Sequence, residues 1–308
     1  MSLRLQVTLA FLAVYLIWGS TYLAIRFAIE SLPPFFMAGA RFVVAGTILY
    51  ALVKLRGGSV KESKLHWGNA FVIGGLMLLG GHGAVVWAEQ WVPSGLVSLL
   101  VGTVPLWMAF EDWMRGGSKP SAMVGGGLLL GFVGVALLAG GFEGLGASSV
   151  DLVGAAIVVF GAFLWANGSL YSRSVELPNS PLLSTAMEMF AGGALLLVAS
   201  LFAGEWSRTR LDLVSARSMF SWVYLVVFGS LVAFTCYIWL LKTVSTTRAS
   251  TYAYVNPIVA MFLGWALASE PITIRNILAA TIILTSVIII TTSETRKKTR
   301  RIIGKVVS

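Results

Sequence analysis

The chain alternates long, continuously apolar runs with short polar connections. Each run holds about 20 residues, enough for a helix that rises about 1.5 Å per residue to cross a hydrocarbon core of roughly 30 Å. A transmembrane β-barrel would instead alternate apolar and polar residues in strands of about ten. The pattern therefore predicts an all-α integral membrane protein with ten spans, over residues 8–29, 34–54, 67–89, 95–114, 119–140, 151–173, 181–203, 218–241, 247–268 and 272–293.

Composition supports this prediction, since 57% of the 308 residues are hydrophobic and only 11% are charged. A soluble domain carries roughly a quarter charged residues, whereas hydrocarbon cannot solvate them. The first apolar run extends from near Val7 to about Ile29, and no small-residue cleavage site follows it. We therefore expect a first span rather than a removed leader.

Positive charge lies beside the predicted spans, chiefly in the first basic loop and in the tail from Arg296 to Arg301. With the N-terminus in the cytoplasm, sixteen Lys and Arg residues fall on the inner side and five on the outer side. This asymmetry predicts that both termini are cytoplasmic, although three arginines of the 204–217 loop lie on the outer side. Anionic lipid headgroups are the expected partners of the basic segments. Nucleic acid is not, because no aromatic-basic platform accompanies the net charge of +9.

The two halves of the chain carry the same marks in the same order. A tryptophan, an arginine and a proline recur at matching spacing, as Trp18, Arg26 and Pro34 and as Trp165, Arg173 and Pro181. Pro105 in the fourth predicted span corresponds to Pro257 in the ninth. Since five spans is an odd number, the second half would enter the membrane from the opposite side. We therefore expect two inverted five-helix repeats around a central cavity, 1–147 and 148–293, and a basic cytoplasmic tail over 294–308. Chance alignment of two apolar stretches is the alternative.

These marks also resemble a known family. Trp18 to Tyr22, followed by Arg26, Pro33-Pro34 and Ala40-Arg41-Phe42, is similar to the opening of EamA-type members of the drug/metabolite transporter superfamily. Ser250 to Pro257 and Ser269 to Pro271 resemble the ninth span and following loop of that family. The resemblance covers nearly the whole chain. It implies ten helices in two inverted repeats, a bacterial inner-membrane location, and export of amino acids, other metabolites or toxic organic cations. One departure is Ser118, which stands where the second half has Glu270.

Polar and aromatic side chains deep in the spans are the candidate functional residues, because they are costly in lipid unless they face a cavity or one another. Trp18 and Trp165 lie mid-span and would form an aromatic wall for a substrate, with simple packing as the alternative. His82 lies between glycines and is a candidate to line the cavity, to pack, or to carry a proton. The residues expected to bind substrate are Trp18, Tyr22, His82, Trp165, Asn167, Tyr252, Tyr254 and Asn256.

Two charges and two prolines complete the set. Arg41 and Glu188 hold matching positions in the two halves and are candidates for polar contacts or ion coupling. Their depths differ by roughly 10 Å, so a direct ion pair and separate roles both stay open. Pro105 and Pro257 are expected to bend their helices, because proline removes a backbone hydrogen bond. With two histidines in the chain we expect no metal site, and no cofactor.

Together these features predict a small-molecule transporter that works by alternating access, not an enzyme. The expected cargo comprises amino acids, aromatic or other apolar ones among them, and related small metabolites or organic cations. A membrane-embedded enzyme acting on a lipid or small amphiphile is the alternative, although the sequence holds no HExxH or GxSxG motif. Without a Walker A motif, transport would be facilitated or driven by an ion gradient. The glycines of the fifth span leave monomer and homodimer open.

Overall fold

The computed structural model describes residues 2–56, 62–116, 122–138, 152–244, 246–286, 288–289 and 292. Every regular element in these residues is a helix. In chain order the main helices are α1 (Leu3–Ala28), α2 (Pro34–Leu55), α3 (Lys64–Ala88), α4 (Ser94–Met114), α5 (Ala122–Leu138), α6 (Leu152–Ser174), α7 (Pro181–Phe202), α8 (Ala216–Thr243), α9 (Tyr252–Ala268) and α10 (Ile274–Ser286). Within the described residues, seven helices are long and apolar enough to cross a membrane, and α5, α9 and α10 are shorter. The predicted boundary between residues 147 and 148 and the tail over 294–308 lie outside the described residues.

Local side-chain caps fix where several helices begin. The Ser2 hydroxyl accepts the N–H of Leu5 at the start of α1 (3.4 Å). Ser63 and His66 form a reciprocal pair at the start of α3, in which the Ser63 hydroxyl accepts the His66 N–H (3.1 Å) and the His66 ring accepts the Ser63 N–H (3.3 Å). Because such caps satisfy donors that have no partner inside the helix, α1 and α3 begin several residues before the predicted starts.

Three of the long helices depart from regular α geometry in their middles. Wide π-helical turns occupy Val14–Trp18 in α1, Gly75–His82 in α3 and Leu225–Phe234 in α8. Such turns re-aim side chains and are frequent at functional sites. Here they occur in three helices that meet at the centre of the molecule.

The two predicted bending prolines occupy different local settings. α4 is interrupted at Gly102 and Thr103, immediately before Pro105. Pro257 lies inside α9, and the helix continues through it. The interruption before α9 lies earlier, between the short helix Thr246–Ala249 and Tyr252.

α2 and α7 approach each other closely through glycine. A Cβ atom added at Gly46 would lie 2.7 Å from the backbone nitrogen of Phe190, and one added at Gly193 would lie 2.6 Å from that of Val43. Gly46 and Gly193 hold the same place after their prolines, and so do Val43 and Phe190. The contact is therefore the same when the two halves are exchanged, as at a two-fold axis.

A second contact also recurs in both halves. Arg26 donates to the carbonyl of Glu89 just past the end of α3 (2.5 Å), and Arg173 donates to the carbonyl of Leu241 near the end of α8 (2.6 Å). Both arginines satisfy carbonyls that have no partner within their own helix. The last turns of α8 pack against the start of α1. α8 therefore ends on the face at which α1 begins, here called the N-terminal face, and α3 ends beside the end of α1, on the opposite face.

Candidate substrate cavity

A cavity lies at the centre of the molecule, between helices of both halves. Most of its wall is aromatic or aliphatic, with glycine on three of the helices. Its described lining residues are Trp18, Thr21, Tyr22, Ile25, Arg41, Phe42, Gly81, His82, Val85, Val101, Val104, Gly161, Ala162, Trp165, Gly229, Phe234 and Tyr252. A mainly apolar wall with a small number of polar groups is typical of a small-molecule site.

Four aromatic rings form a cluster at one end of this cavity. The ring centroid of Trp18 lies 5.6 Å from that of Trp165, 4.9 Å from that of Tyr237 and 5.3 Å from that of Tyr252. The two pairs with Trp165 and Tyr252 meet edge to face, an arrangement that the ring quadrupoles favour. We call these four residues the aromatic cluster.

Hydrogen bonds hold the cluster in place. The Trp165 indole N–H donates to the Tyr237 hydroxyl (3.2 Å), which also shares a hydrogen bond with the Ser169 hydroxyl (2.9 Å). The Trp18 indole N–H donates to the carbonyl of Gly229 (3.2 Å), inside the π-helical turn of α8. Each indole therefore has a fixed orientation rather than a free rotamer.

The aromatic cluster lies between the cavity and the N-terminal face. Tyr237 and Ser169 are close to the ends of α8 and α6, which both run toward that face, and Tyr252 opens α9, which starts there. One turn earlier in α1, and so nearer the N-terminal face, the Tyr15 hydroxyl shares a hydrogen bond of 2.6 Å with Thr251. These contacts lie on the side of the cavity that is nearer the N-terminal face.

Arg41 supplies the permanent charge on the cavity wall, and its side chain is buried. Its Nε donates to the Ser230 hydroxyl (2.8 Å) and its Nη1 to the His82 ring (3.3 Å). The guanidinium carbon also lies 4.7 Å from the ring centroid of Phe42. Arg41 thus connects α2 to α3 and α8 while facing the cavity.

The structure brings six of the predicted residues to this cavity: Trp18, Tyr22, Arg41, His82, Trp165 and Tyr252. Asn167 is not among the lining residues and accepts a hydrogen bond from Arg115 (2.9 Å). The reason is helical geometry, because a residue two positions after Trp165 points about 200° away from it around the axis. Asn167 therefore belongs to the contact between α4 and α6.

Asn256 lies one turn beyond Tyr252 and is buried outside the cavity wall. Its amide, oriented so that both ends find partners, donates to the carbonyls of Tyr15 (3.1 Å) and Tyr252 (3.3 Å). It therefore fastens α9 to α1 beside the interrupted start of α9. The side chain of Tyr254 lies outside the described residues.

Glu188 is fully buried on α7 and does not pair with Arg41. Among the described residues, neither of its carboxylate oxygens has a hydrogen-bond partner, while Arg41 is turned toward α3 and α8. A buried carboxylate without donors is costly in its charged form. The two symmetry-matched charges thus occupy separate environments.

Two glutamates on the opposite face act as helix caps. The Glu205 carboxylate accepts the backbone N–H groups of Phe35 (3.2 Å) and Phe36 (2.7 Å) at the start of α2. The Glu270 carboxylate accepts those of Ser94 (2.9 Å) and Gly95 (3.2 Å) at the start of α4. Glu270 therefore fixes its loop to the first half of the chain. Its counterpart Ser118 lies outside the described residues.

A comparison with known proteins shows which family has this architecture. A model of the EamA-like transporter family matches the chain twice, over residues 5–140 and 152–292. The chain belongs to the EamA-like transporter family. The two matches also show that an EamA unit is duplicated in the chain.

Relatives of this EamA protein are transporters by name. It is 39% identical over 285 residues to the uncharacterized inner membrane transporter YedA of Escherichia coli, covering 92% of this chain and 89% of the relative. It is 27% identical to the uncharacterized transporter YoaV of Bacillus subtilis, covering 95% of this chain and 99% of the relative. A crystal structure of a protein 20% identical matches with a TM-score of 0.63 over 94% of this chain and 98% of that one, which supports the fold alone. The chain is accordingly a multi-pass membrane transporter.

The EamA site contains two contacts that sequence reasoning missed. Tyr237 is fully buried in the aromatic cluster, and Ser230 holds Arg41. Both are polar residues within the long apolar run of α8. This contrast with their neighbours is the sequence feature by which they could have been recognised as functional candidates. Across the described residues, no three His, Cys, Asp or Glu side chains are grouped as the ligands of a metal ion would be.

Proposed function

We propose that this chain moves small molecules with an aromatic or other apolar body, amino acids among them, through the central cavity by alternating access. The observation that carries the proposal is the cavity itself. Its wall comes from both EamA units, and aromatic side chains cover much of it. Such a site between two repeats is where transporters bind their cargo.

We propose further that the three shorter helices also span, giving ten helices in two inverted five-helix repeats over residues 1–147 and 148–293. Two contacts support this. The hydrogen bond from Arg26 to the end of α3 recurs as that from Arg173 to the end of α8, on the opposite face. The α2–α7 contact is unchanged when the halves are exchanged. Inverted repeats supply two related conformations, one open to each side.

In this proposal the aromatic cluster is the inner gate. It lies on the N-terminal face side of the cavity, and its rings come from α1 of the first half and α6, α8 and α9 of the second. Opening would separate Trp18 from Trp165 and Tyr237. The π-helical turns in α1 and α8 lie beside these residues and are suited to absorb the motion, since their backbone ladder is irregular.

The N-terminal face is proposed to be cytoplasmic, with both termini inside a bacterial inner membrane, so that cargo is exported. Support comes from the Lys and Arg asymmetry and from anionic headgroups as partners of the basic segments. Three arginines of the 204–217 loop lie on the other side and count against this bias. There Arg210 pairs with Asp212 (3.0 Å) and Arg217 pairs with Glu30 (2.6 Å).

Arg41 and Glu188 are the candidates for coupling to an ion gradient. Glu188 is fully buried and has no hydrogen-bond donor, so its protonated form is the one that this environment favours. A step that brings water or a cation to Glu188 would release its proton. Facilitated transport, in which Glu188 stays protonated throughout, is the other form of the proposal.

Uptake of a labelled amino-acid and organic-acid panel into proteoliposomes, with and without a pH gradient, tests the proposed function. The expected result is saturable entry of at least one aromatic or apolar compound, above entry into protein-free liposomes. Cargo recovered from the vesicles should be chemically unchanged. Recovery of a converted product would favour a membrane-embedded enzyme instead, and entry of nothing in the panel by correctly folded protein would contradict the proposal.

A further inference from the structure

We propose that the cavity recognises its cargo by a carboxylate group that docks on Arg41, so that the substrates are organic carboxylates with an aromatic or apolar body and not organic cations. This inference rests on the proposed transport function and narrows its substrate class. It is carried by the charge of the Arg41 side chain, its unused hydrogen-bond donors and its position on the cavity wall.

The charge on the cavity wall has one sign. Among the described lining residues none is Asp or Glu, Arg41 carries a permanent positive charge, and His82 is the other basic side chain. Low-dielectric walls strengthen the field of a charge that they enclose. A cationic cargo would meet Arg41 with no acid to offset the repulsion, whereas an anion would be attracted.

Some N–H groups of the Arg41 guanidinium make no hydrogen bond to the described residues. It carries five N–H groups, of which one on Nε binds Ser230 and one on Nη1 binds His82. No ion pair to Arg41 is present among the described residues, although the side chain is only 2% exposed. A guanidinium buried in a membrane protein is costly unless an acceptor or a partner charge meets it.

Gly229 lets the free end of this group lie directly against the backbone of α8. A Cβ atom added at Gly229 would lie 2.7 Å from Nη2 of Arg41 and 3.1 Å from the methyl group of Thr21. A side chain at this position would therefore displace Nη2 from its place in the cavity wall. A carboxylate matches the planar donor fork of arginine with two parallel hydrogen bonds, which a lone carbonyl or an amine cannot do. Since the lining supplies no carboxylate, the cargo is the group that does.

The rest of the wall fits the body of such an acid. Trp18, Phe42 and Trp165 present aromatic surface within the same cavity. An ammonium group on the cargo could rest against an aromatic face, but the lining offers it no acidic partner. The ammonium of an amino acid is therefore tolerated and is not required for transport.

A second, independent feature lies at the N-terminal face. A polar pocket there is lined by Arg173 and Lys242, and its described lining contains no acidic residue. Two cations at this mouth raise the local concentration of anions and lower that of cations. The approach to the closed inner gate thus favours the same charge as the cavity.

The experiment compares four compounds of similar shape in proteoliposomes: 3-phenylpropanoate, phenylalanine, 3-phenylpropanamide and phenethylamine. Entry of each labelled compound is measured by counterflow against the same compound preloaded inside, with protein-free liposomes subtracted. We expect counterflow of 3-phenylpropanoate at least equal to that of phenylalanine. The amide and the amine should be slower by about tenfold or more, the effect of losing one charge-assisted contact.

Substitutions test whether the preference for a carboxylate over an amide depends on Arg41. Arg41→Gln should lower counterflow of the carboxylate by about tenfold to a hundredfold and leave that of the amide within about twofold. Gly229→Ala keeps the charge but crowds Nη2, and it should also lower carboxylate transport more than amide transport. Arg4→Gln removes one charge from the exposed start of α1 and serves as the control. Folded protein is verified by a single symmetric size-exclusion peak, and Gly229→Ala carries the test if Arg41→Gln does not fold.

The outcomes distinguish the proposed recognition of a carboxylate by Arg41 from the proposed transport function. Preference for carboxylates that disappears in Arg41→Gln supports the inference. Equal loss of carboxylate and amide counterflow in Arg41→Gln would show a structural role for Arg41 and overturn it. Faster transport of phenethylamine than of 3-phenylpropanoate would also overturn it, and would leave the transport function standing.

Discussion

Trp18 of α1 and Trp165 of α6, at matching positions of the two EamA units, meet edge to face with ring centroids 5.6 Å apart. Each indole N–H is held from α8, by the Gly229 carbonyl for Trp18 and by the Tyr237 hydroxyl for Trp165. The contact joins the two halves at the end of the cavity that faces the N-terminal side. We infer that this pair both contacts cargo and closes the inner gate.

Replacing either tryptophan by alanine should therefore impair transport more than folding. For Trp165→Ala we expect the initial uptake rate to fall at least about tenfold, the effect of about 1.4 kcal/mol of lost contact, with folded yield within about twofold of wild type. Trp18→Ala should behave alike. Phe160→Ala, on the outward side of α6 with the side chain exposed, is the control and should transport normally. Normal uptake by both tryptophan variants would make these rings packing residues.

Tyr237→Phe should weaken the contacts of the inner gate while keeping the aromatic ring in place. The variant keeps the ring but removes the hydroxyl that the Trp165 N–H and the Ser169 hydroxyl both contact, a change that costs about 1–3 kcal/mol when a buried donor loses its partner. With Cys236 replaced by serine and a reporter cysteine at Ser172, near the N-terminal face, labelling by a water-soluble maleimide should rise. Unchanged labelling would indicate that the gate is held elsewhere.

The α2–α7 contact predicts a large difference between two glycine substitutions. Gly193→Ala places a Cβ atom against the α2 backbone and should destabilise the protein by about 1–3 kcal/mol through overpacking. Gly126→Ala on α5 meets no atom within 4 Å and should be neutral or stabilising by up to about 1 kcal/mol, because alanine favours the helix. Thermal unfolding midpoints in one detergent measure both. Equal midpoints for the two variants would contradict the close approach.

Glu205 predicts a pH dependence of stability on the face opposite the N-terminal one. Burial raises the pKa of its carboxyl, against the lowering effect of the Phe36 and Phe35 N–H groups and of Arg208. Because the folded state then favours the protonated form, the contribution of Glu205 is greatest below its ordinary pKa and is lost as pH rises through the raised one. Unfolding midpoints of wild type minus those of Glu205→Gln should therefore fall from acid to neutral pH. A difference that stays constant or rises would contradict this assignment.

The fold follows from sequence because hydrocarbon imposes a simple rule, and runs of about 20 apolar residues become helices. The residues at which the helices start do not follow from the hydrophobic pattern, since they depend on single hydroxyl caps such as Ser2 and Ser63. The π-helical turns of α1, α3 and α8 were also not predictable, because they arise from packing against neighbouring helices rather than from local preference.

The candidate site could be predicted in part for a similar reason. Mid-span Trp18, His82 and Trp165 line one cavity, as a polar or aromatic residue deep in a span suggests. Asn167 was misplaced because depth along a helix does not specify the face that a residue occupies. Tyr237 was missed because an aromatic residue in an apolar run carries no visible mark of its hydrogen bonds.

Passage of cargo through the cavity between the two EamA units can be tested by filling that cavity. Val101→Trp adds an indole on the wall formed by α4, and Ile258→Trp adds the same group on the exposed side of α9. Both purified variants are reconstituted at equal density, and uptake of a cargo that wild type transports is measured. If cargo passes through the cavity, we expect uptake near that of protein-free liposomes for Val101→Trp and near that of wild type for Ile258→Trp. Wild-type uptake by correctly folded Val101→Trp would contradict it and place the path elsewhere.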